Sequence, residues 1–179
     1  MTRFVILDRD GVINRDSASY VKTEKEWIPE EGAIEAIAML TRAKIPVFVA
    51  TNQSAVGRGI ISNTDLEKIH RKMRATVLAA GGQICDIKYC PHTPAEFCNC
   101  RKPKPGLLNQ IFNENELKSS DGFFVGDSAT DIEAAKQAGC NPVLVLTGKG
   151  KQTLEIFPTH SLVFNNLKSF VISLLKQEL

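Results

Sequence analysis

Short apolar runs that stop abruptly at acidic or polar residues recur along this chain, with segments of helical periodicity between them. Residues 4–7 (FVIL) end at Asp8, 46–50 (PVFVA) at Thr51-Asn52, and 123–125 (FFV) at Gly126-Asp127. Each run is too short for a helix and apolar at consecutive positions, as a strand buried on both faces requires. Segments 32–43, 105–113, 130–138 and 167–175 carry helix-period apolar residues, and a capping pair, Ser62 and Asp65, opens a helix that runs to Gly81-Gly82. Further strands are expected at 84–89, 142–146 and 161–164. This alternation predicts an α/β fold, a doubly wound and mostly parallel sheet with helices on both faces, in one domain over residues 1–179. Such sheets bind ligands outside the carboxyl ends of their strands. Asp8, Asp10, Thr51, Asn52 and Asp127 end the strands here, so chemistry is expected there.

Asp8-Arg9-Asp10-Gly11 follows the first strand directly. Residues i and i+2 of extended chain face the same way, so both carboxylates are expected at one site and Arg9 elsewhere. Two acids that close repel unless a cation or a proton lies between them. A second acidic set, Gly126-Asp127-Ser128-Ala129-Thr130-Asp131, follows another strand. In a parallel sheet Asp127 can lie beside Asp8, completing an oxygen-rich site suited to Mg²⁺. The competing reading makes Asp127 or Ser128 a helix N-cap and Asp131 a complement to the helix dipole. Gly126 permits close approach and favours Asp127 as a ligand; Asp131 is the secondary candidate. Thr51, Asn52, Gln53 and Ser54 offer a hydroxyl, amides and loop N–H groups for phosphoryl oxygens. Arg101, Lys102 and Lys104 put three cations into a proline-stiffened loop, which lowers the entropy cost of holding a lysine against a phosphate.

Five cysteines in a chain whose N-terminus lacks the apolar stretch of a signal peptide argue against a disulfide framework. Cys90, His92, Cys98 and Cys100 form C-x-H-x5-C-x-C, four soft ligands for a closed tetrahedral site, which favours structural Zn²⁺. That site would stiffen the loop that delivers Arg101 and Lys102. Cys85 and Cys140 are expected to be buried apolar residues, and His70 and His160 stand in no ligand pattern.

With Lys+Arg 22 against Asp+Glu 20, the net charge of +2 gives no nucleic-acid footprint. No apolar run approaches the ~18–20 residues of a membrane span. A cytoplasmic monomer with a small-molecule partner, no nucleic acid and no membrane is the expectation.

Taken together, DRDGV (8–12), ATNQS (50–54), RKPKPG (101–106) and GDSATD (126–131) resemble the four ordered motifs of the haloacid dehalogenase superfamily of phosphatases, over almost the whole chain. The resemblance implies a Rossmann-like fold and an aspartyl-phosphate mechanism. Asp8 would be the nucleophile and Asp10 the general acid, then the base for water. Asp8, Asp127 and the Asp10 backbone carbonyl would hold Mg²⁺, and Thr51 and Lys102 the phosphoryl oxygens. The short spacing between motifs leaves no room for a separate cap domain, so the site is expected to be open.

Within the superfamily the Cys-His-Cys-Cys loop running into RKP resembles two groups, the D-glycero-D-manno-heptose 1,7-bisphosphate 7-phosphatases and the histidinol-phosphate phosphatases. Three features favour the first: the NQS-x3-RG run ending at Arg58-Gly59, the loop at Asp16, Ser17, Ser19 and Tyr20, and Thr147-Gly148-Lys149-Gly150. Arg101 and Lys102 would read the substrate's phosphates, and Asp16, Ser17, Ser19 and Ser54 would approach the sugar, in a step toward nucleotide-activated heptose for surface polysaccharide. GDSATDI is close to the second group, and Ser128 stands where some heptose enzymes have Lys. An inactive phosphosugar-binding module is a third reading, against which stands the presence of all the motif acids.

Overall fold

The computed structural model describes residues 3–177. Six strands form one sheet in the order β3-β2-β1-β4-β5-β6, with every neighbouring pair parallel. They are β1 (Phe4–Leu7), β2 (Val47–Asn52), β3 (Asp86–Cys90), β4 (Gly122–Gly126), β5 (Asn141–Val145) and β6 (Val163–Phe164). The helices are α1 (Ala33–Arg42), α2 (Ser54–Gly57), α3 (Asn63–Ala79), α4 (Gly106–Glu114), α5 (Ala129–Ala138), α6 (Gly150–Ile156) and α7 (Leu167–Leu175).

The period of two in each strand divides the core. Val5, Leu7, Val47, Val49, Val125 and Val143 point to one face, where α1, α3 and α7 cover them with residues such as Ile37, Ile69 and Phe170. Phe4, Ile6, Phe48, Ala50 and Phe124 point to the other, against Leu107, Leu108 and Ile111 of α4 and Ala134 and Ala135 of α5. Because both faces are covered, the central strands are continuously apolar, and that is why they were legible as short runs.

The chain moves from β1 through β2 to β3 on one side, then returns so that β4 lies on the other side of β1. Strand order therefore reverses between β1 and β4, and a crevice opens beyond their carboxyl ends. Leu7 pairs with Val125, which sets Asp8 and Asp127 beside each other at that crevice.

Several local expectations change. Thr51 and Asn52 are not loop residues: β2 runs through them because they pair with Tyr89 and Cys90 of β3. The predicted strand at 161–164 shortens to two residues at the sheet edge. Helices α2 and α6 are too short to carry a periodic signal. Cys140 is buried as expected, but Cys85 is exposed, because extended backbone entering β3 turns Ile84 inward and Cys85 outward. Residues 15–32 and 91–105 are loops with at most a 3-10 turn, so neither carries a separate folded cap. Among the described residues no helix is long and apolar enough to cross a membrane.

Candidate active site and metal centre

A cleft of about 760 Å³ lies at the strand-order reversal, with Asp8, Asp10, Asp127 and Lys102 at its floor. Asp8 follows β1, and its Oδ1 accepts from the Arg9 N–H at 2.7 Å. Gly11 then turns the chain with φ +83°, where a side chain would also collide with the Asp127 carboxylate. Asp127 leaves β4 through Gly126, and a Cβ on Gly126 would strike Asp131. Both glycines are thus conditions for packing three acids together.

Oxygens of Asp8, Asp127 and Asp131 lie within 4.8 Å of one another, all three residues buried. Asp131 is promoted from secondary candidate to member of this cluster. One oxygen serves the cap, accepting from the Ser128 N–H at 3.0 Å and hydroxyl at 2.6 Å, and the other meets the Lys102 Nζ at 2.6 Å. Capping and site roles are therefore carried by different oxygens of one carboxylate. The Lys102 Nζ also pairs with Asp8 at 2.9 Å, donates to the Ala50 carbonyl at 3.0 Å and lies 5.3 Å from the Phe124 ring centre. Burial works to discharge this lysine, but Asp131 and Asp8 outweigh it and hold it protonated.

One cation against three acids leaves the cluster short of positive charge. Burial, with repulsion from Asp131 and Asp10, pushes Asp8 up to about 7 despite Lys102. Burial and repulsion from Asp8 and Asp131 push Asp127 up to about 8. Three hard oxygen donors that repel one another fit a divalent cation such as Mg²⁺. Asp127 is held in place: its Oδ2 accepts from the Lys149 N–H at 2.7 Å and its carbonyl from the Thr153 hydroxyl at 2.7 Å.

Asp10 stands apart from the cluster, and Arg9 does not face elsewhere as its place in the strand suggested. The Arg9 guanidinium is buried and folds back on Asp10, donating from Nε at 3.2 Å and from Nη2 to both oxygens at 3.0 Å. The chain has already left β1 at this point, so strand alternation no longer governs where Arg9 points. Asn14 and Gln53 each add a donor at 2.8 Å. Burial opposes ionisation of Asp10, yet the Arg9 charge and these hydrogen bonds hold its carboxyl below the ordinary value.

The TNQS segment divides its labour. Thr51 and Ser54 line the cleft. Asn52 also lines it but grips the Lys102 backbone, accepting from its N–H and donating to its carbonyl, both at 3.1 Å. Gln53 is buried behind Asp10 and Thr51. Asp16 and Ser17 reach the cleft wall, where Asp16 pairs with the Lys149 Nζ at 3.3 Å; Ser19 lies exposed beyond it. Arg101, Arg58 and Lys149 supply cations at the walls. Lys149, Asn14 and Thr153 are site residues that sequence alone does not single out: they meet the motif acids Asp127 and Asp10 through contacts that only the folded chain makes.

The cysteine loop closes as its spacing implied. Cys90 Sγ lies 3.5 Å from His92 Nδ1 and 3.6 Å from Cys98 Sγ; Cys100 Sγ lies 3.3 Å from His92 Nδ1 and 3.5 Å from Cys98 Sγ. Sulfurs bound at about 2.3 Å to one tetrahedral ion stand about 3.8 Å apart, so the set fits Zn²⁺. Arg101 donates to the His92 carbonyl at 3.1 Å and Lys104 to the Cys98 carbonyl at 2.7 Å. The loop that carries Lys102 is thereby tied to this knot, and Lys104 is spent on it.

Residues 99–170 match the HAD-hydrolase-like family model. The chain is 49% identical over 173 residues to the D-glycero-beta-D-manno-heptose-1,7-bisphosphate 7-phosphatase of Pseudomonas aeruginosa, covering 96% of this chain and 97% of that protein. It is 48% identical over 172 residues to the enzyme of the same name from Neisseria meningitidis serogroup A, covering 94% and 92%. The crystal structure of D,D-heptose 1,7-bisphosphate phosphatase from B. bronchiseptica, complexed with magnesium and phosphate, superposes with a TM-score of 0.95 at 42% identity over 99% of both chains.

Proposed function

The chain belongs to the heptose-1,7-bisphosphate 7-phosphatase family of HAD-like hydrolases, and from that premise we propose that it removes the C7 phosphate of D-glycero-β-D-manno-heptose 1,7-bisphosphate through an aspartyl-phosphate on Asp8. The observation that carries this reading is the buried Lys102 between Asp8 and Asp131, beside Asp127 and next to the separately held Asp10.

An Asp8 oxygen attacks phosphorus; the P–O bond to C7 breaks, and Asp10 gives its proton to the leaving alkoxide. Water then attacks the acyl phosphate, Asp10 takes its proton, and inorganic phosphate leaves with Asp8 restored. Asp10 must therefore be protonated when substrate is bound, and a phosphoryl dianion beside it raises its proton affinity. Lys102, Thr51 and Ser54, which line the cleft, would hold the phosphoryl oxygens. Asp8, Asp127 and the Asp10 backbone carbonyl would hold Mg²⁺, with Asp131 adjoining. Held there, the ion would supply positive charge to offset that on the phosphoryl oxygens. Cys90, His92, Cys98 and Cys100 would hold Zn²⁺ structurally. The whole chain would act as one phosphatase domain, a cytoplasmic monomer.

Arg58, Arg101 and Lys149 on the cleft walls suit a substrate with a second phosphate. With Mg²⁺, the β-anomer of the bisphosphate is expected to exceed histidinol phosphate in kcat/KM by at least about 10²-fold, because polar groups built for a phosphate reject a substrate lacking one. The product should be the 1-phosphate. Preference for histidinol phosphate would overturn the substrate assignment while leaving the chemistry of Asp8 intact.

Cys98→Ser is expected to release bound zinc and lower the melting temperature, with slower turnover because Lys102 sits four residues on. Unchanged zinc content and stability would refute the metal assignment.

A further inference from the structure

Arg9 spends two of its nitrogens on Asp10, and its remaining nitrogen, Nη1, lies 3.4 Å from His70 Nε2. His70 sits on α3, buried, with its ring edge-on to Tyr89 at 5.8 Å between centres. It belongs to no motif and the proposed reaction does not use it. Burial and the neighbouring Arg9 charge depress its proton affinity to about 3, against the opposing pull of Asp10 and with further help from Arg74. A guanidinium carries only donors, so Nε2 meets Arg9 as an acceptor, and a neutral imidazole so placed carries its proton on Nδ1. The guanidinium is planar, so a contact at Nη1, added to those at Nε and Nη2, restrains the plane that meets the Asp10 carboxylate.

We propose that His70 and Arg9 form a buried positioning pair for Asp10, in which the acceptor on α3 sets the guanidinium plane and that plane holds the general acid–base in line with the scissile bond. This rests on the reading of Asp10 as acid and base. Asn14, itself held by the Trp27 indole N–H at 2.9 Å, and Gln53 each give the carboxylate one further donor at 2.8 Å. Neither residue of the pair lines the cleft. They differ from structural polar residues in what they position, since Asp10 is the only carboxylate with which Arg9 forms an ion pair among the described residues.

The test is a cycle of His70→Leu, Asp10→Asn and the double variant, assayed with Mg²⁺ on the heptose bisphosphate, with His70→Gln as the conservative partner. His70→Leu should lower kcat by about 10- to 100-fold with KM little changed, the scale of a displaced catalytic group. His70→Gln, whose amide oxygen can still accept from Nη1, should restore most of the rate. In the Asp10→Asn background His70→Leu should change kcat less than about 2-fold, because the group it positions is already gone. Equal loss from His70→Leu in both backgrounds, or equal loss in His70→Leu and His70→Gln, would overturn the pair. Near-normal turnover of Asp10→Asn would instead overturn the acid–base reading on which it rests. Melting temperatures of all four proteins separate misfolding from mispositioning.

Discussion

Asp8→Asn should lower phosphate release by on the order of 10⁵-fold or more, the loss that follows removal of a nucleophile, without lowering the melting temperature. The two halves of this expectation have one cause. Asp8 is one of three buried carboxylates served by a single lysine, so replacing it removes repulsion as well as chemistry. Lys102 keeps its pair with Asp131 at 2.6 Å. The sign of the pH dependence follows by linkage. Asp8 titrates in the folded chain at about 7, above the ordinary carboxylate value of 3.8, so the folded state binds a proton that the unfolded state releases. That stabilising contribution is complete below the unfolded value and is lost as pH rises through about 7. In chelator, the unaltered protein should therefore become less stable as pH rises from about 4 to about 7, and Asp8→Asn should show a flatter curve over that interval. Asp127, at about 8, leaves part of the slope in both proteins. Differential scanning fluorimetry with and without Mg²⁺ and a phosphate-release assay read both outcomes. Near-normal turnover would remove Asp8 as the nucleophile, and a variant much less stable at high pH would contradict the charge count.

The second large effect belongs to Lys102→Met. Methionine matches the lysine in length and apolar stem, so the change isolates the charge. It leaves Asp8 and Asp131 buried with no cation between them, and breaking a buried pair from one side costs about 3–5 kcal/mol. For a chain of this size that is a fall of roughly 6–20 °C in melting temperature. Activity should disappear as well, since no ammonium remains to draw charge from the phosphoryl oxygens. Lys102→Arg is not expected to rescue it: Nζ fits as a compact point between Asp8, Asp131 and the Ala50 carbonyl, where a planar fork does not fit. Millimolar Mg²⁺ should recover part of the lost stability, because a divalent ion meets the same carboxylates. A stable, active Lys102→Met would mean that the acids are neutral in the folded protein and that the proposed electrostatics are wrong.

The contrast between the pairings of Asp10 and Lys102 explains much of what was hidden. Local order along the chain was enough to place Asp8, Asp127 and the cysteine ligands, because strand ends and C-x-H-x5-C-x-C spacing are written in consecutive residues. It was also enough for the parallel sheet, since a strand buried on both faces has to be apolar at every position. By contrast, Asn52 and Gln53 were legible only as polar residues after a strand. Their partners, the Lys102 backbone and Asp10, are 50 and 43 positions away. Asp131 could be read as a cap and is one, yet its second oxygen meets Lys102, which no helix rule foresees.

What the amino-acid order determined by itself was therefore the set of candidate groups and the elements that end beside them: backbone periodicity and short-range spacing are local properties. The tertiary structure alone decided which groups share charge. It folded Arg9 back onto Asp10, set neutral His70 against Arg9, closed Lys102 between two acids and left Cys85 exposed. Electrostatic coupling depends on distance and burial, and both are produced by packing between residues far apart in the chain.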